Sequence, residues 1–242
     1  MKKMIVVLSF LVSAAAAWAA TPVSKDKPAA SDIRKFLKEK SSFSEEQIDT
    51  LAYRLGYAEA EKLPVSHLLG RIKEGVAKKR DFSAIVGVLD RKIAQLKESR
   101  DLVENLCKKG MVIKERKYCA HVLGELLEMG YPEADFSELA NMFILRKMNC
   151  EALLGLAALQ MDLRRKGMSC AETKEIINAA VLKNMSPRSI KTILLILKDA
   201  KIRGLDIKKA RAIAMEGIEK KNIQWLKNNI KALETKQPKG GE

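Results

Sequence analysis

His67 and His121 are the only two histidines in this chain, so any acid-base or imidazole-ligand chemistry would fall to them. Each is followed three residues later by a glycine, Gly70 or Gly124. A His over a Gly one helical turn away suggests a close helix crossing, where the missing side chain leaves room for a neighbour. Packing is therefore the reading this spacing favours over ligation or catalysis. Cys119 lies two residues before His121, and on a helix those side chains diverge. A zinc site wants i, i+3 or i, i+4 ligands, or paired C-x-x-C turns, and neither pattern is present.

Four cysteines, Cys107, Cys119, Cys150 and Cys170, permit three pairings of two disulfides if the chain is exported. Alternating helix directions put Cys107 and Cys150 at one end of a helical stack, Cys119 about two turns in and Cys170 at the far end. The expected bridge is the local one, Cys107–Cys119, with four buried thiols as the alternative. No G-x-S-x-G elbow, Gly-rich phosphate loop or Ser/His/Asp set appears. Glycoside cleavage needs two convergent carboxylates, and the acidic residues sit beside Lys on amphipathic faces with no pair standing out. With four Tyr, six Phe and two Trp there is little material for a sugar-stacking cleft. No catalytic, cofactor-binding or metal-binding residue is assigned, and no cofactor is expected.

The elements that must position these residues are helical. The composition is 47% hydrophobic and 31% charged with 13 Gly and 6 Pro, and no alternating strand pattern of useful length occurs. Ile33, Phe36 and Leu37, then Ile48, Leu51 and Leu55, show helical apolar spacing. From Phe82 an apolar stripe runs through Ile85, Leu89, Ile93, Leu96 and Val103 to Leu106, as one long helix or two joined by a kink. Start signals are Ser42 with Glu45, Asp81 before Phe82, Asp135 before Phe136, and Ser186 with Pro187. Gly56, Gly110, Gly167 and Gly204 each follow a helical run and read as left-handed C-caps. Most of the many methionines fall on apolar stripes or at turns and read as core fillers.

Shifting the sequence by 54 residues aligns 56–83 with 110–137 at nine identities in 28 positions. Gly56 meets Gly110, His67 meets His121, Gly70 meets Gly124 and Phe82 meets Phe136. These are expected to be repeat-equivalent packing positions. Openings at 56, 110, 167 and 204 are 54, 57 and 37 residues apart, as if the later units lacked about one helix. The expected fold is all-α: tandem helical hairpins in an α-solenoid-like right-handed stack, with an irregular helical bundle as the alternative.

Glu74-Gly75-Val76-Ala77-Lys78-Lys79 returns as Glu216-Gly217-Ile218-Glu219-Lys220-Lys221. This Glu-Gly-x-x-Lys-Lys element within tandem helical units resembles a loosely defined set of uncharacterised exported bacterial tandem helical-repeat proteins. The resemblance covers roughly residues 43–230 and implies the repeat architecture but no activity.

Lys2 and Lys3, an apolar run from Met4 to Ala17 and the Ala17-Trp18-Ala19 site read as a signal peptide over 1–19, cleaved near Ala19 or Ala20. A run of 14 residues falls short of the roughly 20 that span a bilayer, so no transmembrane anchor is expected after cleavage. A flexible lead-in over 20–31, a helical repeat domain over 32–234 and a disordered tail over 235–242 complete the division. Without the leader the chain carries 43 basic and 30 acidic residues, a net +13. Outside the cytoplasm that charge suits another envelope protein or an anionic envelope component rather than nucleic acid. Lys78, Lys79, Arg80, Lys220 and Lys221 are the candidate basic binding face, against the alternative that the cations are spread over solvated helix surfaces. The functional expectation is a periplasmic or secreted, non-enzymatic binding or scaffolding module. The alternatives are a cell-wall-modifying enzyme and a binder of anionic lipid or lipopolysaccharide.

Overall fold

A computed structural model describes residues 29–236. The chain is all-helical there: α1 (Ala29–Lys40), α2 (Glu45–Ala60), α3 (Val65–Ala77), α4 (Phe82–Lys108), α5 (Arg116–Glu128), α6 (Glu133–Leu145), α7 (Cys150–Arg165), α8 (Cys170–Leu182), α9 (Pro187–Ile202), α10 (Ile207–Glu219) and α11 (Ile223–Lys236). The one β feature among the described residues is an isolated bridge between Val112 and Asn149. The expected signal peptide lies outside the described residues, as do most of the lead-in and tail. α1 takes in positions 29–31 of that lead-in.

Every helix from α2 to α10 ends in the same way. Lys62, Lys79, Gly110, Gly130, Lys147, Gly167, Asn184, Gly204 and Lys221 all have positive φ. The N–H of the next residue reaches back to the carbonyl five residues earlier, as Leu63 does to Ala58, Met148 to Phe143 and Leu205 to Ala200. This Schellman bond satisfies carbonyls that have no partner within the helix, and the residue making it is usually apolar and tucked under the helix end. Leu63, Met111, Tyr131, Met168, Met185 and Leu205 are all buried there. Except after α4, the next helix then starts within three residues. The side chains of Asn149, Ser169, Ser186 and Asp206 accept N–H groups of the first turn of α7, α8, α9 and α10.

These junctions give the true period. From Gly110 onward the left-handed residues alternate 20 and 17 residues apart, so each hairpin is 37 residues long. The expected 54- and 57-residue units are a 37-residue period plus one extra half, and the later units lack no helix. Gly56 is not a cap: it lies within α2, and Lys62 takes the left-handed position instead. The 54-residue match therefore relates residues one turn out of step. α3 and α5 begin 51 residues apart, placing His67 two residues into α3 and His121 five into α5. Ser44, not Ser42, opens α2 through a capping box with Gln47, and α6 starts at Glu133, ahead of Asp135. Phe82 to Lys108 is one helix of 27 residues.

α5, α7, α9 and α11 pack side by side in one layer, with α6, α8 and α10 behind them. This is the serial hairpin stacking of a solenoid-like helical array. Ion pairs tie each hairpin to the next. Lys174 on α8 clasps Asp135 (2.8 Å) and Glu138 (2.5 Å) on α6. One period later Arg211 on α10 clasps Glu172 (3.4 Å) and Glu175 on α8. The apolar core has two parts. One runs from Ile33 to Leu96, and the other from Val103 through Phe143 and Leu197 to Ile230. α4 is long because it serves both, its first half packing against α2 and α3 and its second half reaching the hairpin array.

The Glu-Gly-x-x-Lys-Lys echo marks equivalent sites, the last turns of the 13-residue helices α3 and α10. Its glycine admits the following helix: a Cβ on Gly75 would lie 2.7 Å from Ile85 Cγ1, and one on Gly217 would lie 2.9 Å from Leu226 Cβ. Leu226 Cβ cannot swing away without moving its helix. Gly217→Ala is thus expected to destabilise by about 1 kcal/mol, the overpacking cost exceeding the gain in helix propensity. A urea midpoint equal to or above wild type would contradict the close approach.

Candidate functional site

A groove of about 1400 Å³ crosses α3, α4, α5, α7 and α9. Its apolar strip includes Ala84, Ile85 and Val88 of α4 and Ala158, Leu159 and Met161 of α7. Val88 is 36% exposed. Around the strip stand Arg71, Lys78, Arg80, Arg91, Lys92, Arg165, Lys166, Lys191 and Lys198, against the carboxylates of Glu74, Glu125, Glu128 and Asp162. The nine cations come from α3, α4, α7, α9 and the turns that follow α3 and α7, and only the stacking of hairpins gathers them.

Each of those carboxylates is already engaged. Glu74 takes Lys78 at 2.5 Å and Arg71 at 3.2 Å, Glu125 takes Lys92 at 2.8 Å, Glu128 also takes Lys92, and Asp162 takes Lys198. The Lys78 bond is the main force holding the Glu74 carboxyl below the ordinary carboxylate range. At Glu125 burial pushes upward, but Lys92, His121 and Arg71 together bring it below the ordinary range. Glu74 and Glu125 are therefore ionised hydrogen-bond acceptors at neutral pH, not proton donors. Arg91, Lys166 and Lys191 make no ion pair among the described residues, leaving the groove with uncompensated positive charge.

The two histidines meet between α3 and α5, outside the groove's lining. Their rings stack face to face, centroids 3.3 Å apart and planes 14° from parallel. Burial lowers the pKa of His67, with Arg71 and Lys92 adding to the effect against Glu125. Burial, followed by the neighbouring His67, lowers that of His121 to about 4. Both imidazoles are therefore neutral at pH 7. Parallel stacking directs their ring nitrogens away from a common point, and no group of three metal-ligating side chains occurs among the described residues. The glycines beside them differ: Gly70 faces open space, while a Cβ on Gly124 would lie 3.1 Å from Ser99 Oγ. Of the aromatics, Phe82 stacks edge-on against Phe43 at 5.7 Å, and Phe136 against Tyr131 at 6.4 Å.

The expected basic face is divided by the fold. Lys78 and Arg80 line the groove, whereas Lys220 and Lys221 lie at the α10–α11 junction, outside its lining. Lys220 is held by Glu216 at 2.7 Å and lies over the Trp225 ring at 3.9 Å. Lys79 and Lys221 are the left-handed caps of α3 and α10. The groove's unpaired cations, Arg91, Lys166 and Lys191, escaped sequence reasoning because nothing in one helix marks them.

The cysteines are also rearranged. All four are free, and Cys107 and Cys119 are not bridged. Cys107 Sγ instead receives Arg116 Nη2 at 3.4 Å. The neighbouring Cys150 thiol, with burial, pushes the Cys119 thiol well above the usual thiol range. Next to this pair, Glu151 Oε1 accepts the N–H groups of Lys114 (2.7 Å) and Glu115 (3.0 Å), so α7 supplies a cap for the start of α5. Burial there opposes ionisation, but these backbone donors outweigh it and keep the Glu151 carboxyl below its ordinary range.

The fold and groove define an all-α protein of tandem helical hairpins. The chain matches no protein-family model, no curated protein and no solved structure. No helix among the described residues is long and apolar enough to cross a membrane.

Proposed function

We propose that this protein is an exported, non-enzymatic helical-repeat module whose groove docks an acidic polypeptide segment of a partner in the bacterial envelope. The observation that carries this reading is the combination of an apolar strip on α4 and α7 with the unpaired cations Arg91, Lys166 and Lys191 beside it. A volume of about 1400 Å³ exceeds the roughly 300–1,000 Å³ of a small-molecule pocket, and an amphipathic segment would fill it better. Its apolar side would cover Val88 and Leu159, and its carboxylates would meet the cations. Carboxylates already tied to lysine and arginine favour this over cell-wall hydrolysis, which needs a proton-bearing acid in the cleft. The leader-like residues 1–19 support export and envelope placement.

Fluorescence anisotropy with a labelled acidic amphipathic helical peptide tests the reading. Saturable binding that weakens with salt is expected, with Arg91→Glu about tenfold weaker and the off-groove Lys227→Glu unchanged. Equal affinity of Arg91→Glu and wild type would overturn the groove as the site. Tight, Arg91-dependent binding to anionic vesicles with none to the peptide would replace the polypeptide by a lipid headgroup.

A further inference from the structure

We propose that Cys119 and Cys150 are a disulfide-forming pair that clamps the start of α5 to the start of α7. Both residues are 0% exposed and belong to one apolar cluster, and the Cys119 side chain lies against Glu151, the residue next to Cys150. The backbone around them is stitched on both sides. Cys150 N–H donates to Val112 O at 2.9 Å, and Glu151 Oε1 holds the Lys114 and Glu115 N–H groups. Cys119 Sγ itself lies 3.6 Å from Glu151 Oε1, so the two helix starts cannot slide without breaking four contacts. Cys107 and Cys170 have no comparable arrangement: Cys107 faces Arg116, and Cys170 sits at the start of α8 with its carbonyl on Gln160.

The bond needs an oxidant of the small-molecule disulfide class, such as oxidised glutathione. One cysteine thiolate attacks the glutathione disulfide, forming a mixed disulfide and expelling one glutathione thiolate. The second cysteine thiolate then attacks the protein sulfur of that mixed disulfide and expels the other. The two thiol protons end on the two glutathiones, so the pair loses two electrons and the oxidant gains them. The neighbouring Cys150 and burial raise the Cys119 thiol, and both residues are closed off from solvent, so Cys119 is a poor nucleophile in the folded chain. Oxidation therefore belongs to folding, before α5 and α7 close over the sulfurs. The finished bond would enclose the α5–α6 hairpin, residues 119–150.

The full chain, refolded from urea in a glutathione redox buffer, alkylated and digested, reports the linkage by peptide mass. The expected result is a Cys119–Cys150 linked peptide with Cys107 and Cys170 alkylated, and a Tm about 10 °C above that of the reduced protein. The same link should persist in the Cys107→Ser, Cys170→Ser double variant. A Cys107–Cys119 link, any link to Cys170, or alkylation of both Cys119 and Cys150 after refolding would overturn the proposal. Wild-type peptide mapping decides the matter even if a Cys150→Ser variant fails to fold.

Discussion

Lys92→Met is expected to lower stability by about 3 kcal/mol, a fall in Tm of roughly 10 °C, because it strands a half-buried carboxylate rather than merely deleting a surface charge. The Lys92 side chain is 10% exposed and reaches from α4 to both Glu125 and Glu128 on α5. Without it Glu125 keeps only Arg71, at 3.8 Å, and lies close to two neutral imidazoles. An exposed ion pair is worth little because water replaces the lost partner, but here burial limits that replacement. Lys92→Met combined with Glu125→Gln removes the stranded charge, so the double variant should recover at least half of the loss. Urea denaturation of the three variants measures this. A loss below about 1 kcal/mol for Lys92→Met, or additive losses in the double variant, would mean the network behaves as an ordinary surface pair. Lys92 also lines the groove, so the less stable single variant should bind acidic peptide more weakly than its effect on net charge alone predicts.

Acid should weaken the fold through the stacked histidines. His121 has its pKa lowered from 6.5 to about 4 by burial and by His67, and His67 is shifted in the same direction. Below pH 6.5 the unfolded chain takes up protons that the folded chain refuses. Stability is therefore full above pH 6.5, falls as pH drops, and stops falling on this account below about pH 4. The groups facing the pair are Glu125, which favours protonation, and Arg71 and Lys92, which oppose it. Allowing for the partial exposure of both rings, the loss from pH 7 to pH 4 is about 2 kcal/mol. Urea midpoints across that range should show a steeper decline for wild type than for His121→Gln, which cannot take up a proton. Parallel curves for the two proteins would show that the ring pair carries no linked proton.

Much of the fold is legible in the sequence where one residue type has one use. Gly110, Gly167 and Gly204 announce left-handed caps, and Asp81 and Ser186-Pro187 announce the starts of α4 and α9. The caps at Lys62, Lys79, Lys147, Asn184 and Lys221 are hidden, because a non-glycine residue ordinarily avoids that conformation by about 1 kcal/mol or more. Two backbone bonds at each helix end, and a buried next residue at Leu63 and Met185, offset that cost. The signal that exposes Lys147 and Asn184 is the triplet repeated after α6 to α9: Lys147-Met148-Asn149, Gly167-Met168-Ser169, Asn184-Met185-Ser186 and Gly204-Leu205-Asp206. It carries the 37-residue period, which the stronger 54-residue identity masked. Likewise Asp135 and Glu138 with Lys174 recur one period later as Glu172 and Glu175 with Arg211.

Helical class, the apolar faces and the punctuation of the hairpins were local matters, settled by residue periodicity and by capping chemistry within a few positions along the chain. Which cations share a groove, which thiol meets Cys119 and whether two imidazoles touch depended on how far each helix slides and turns against its neighbours. Side-chain packing summed over the whole array sets that register, and no short stretch of chain encodes it.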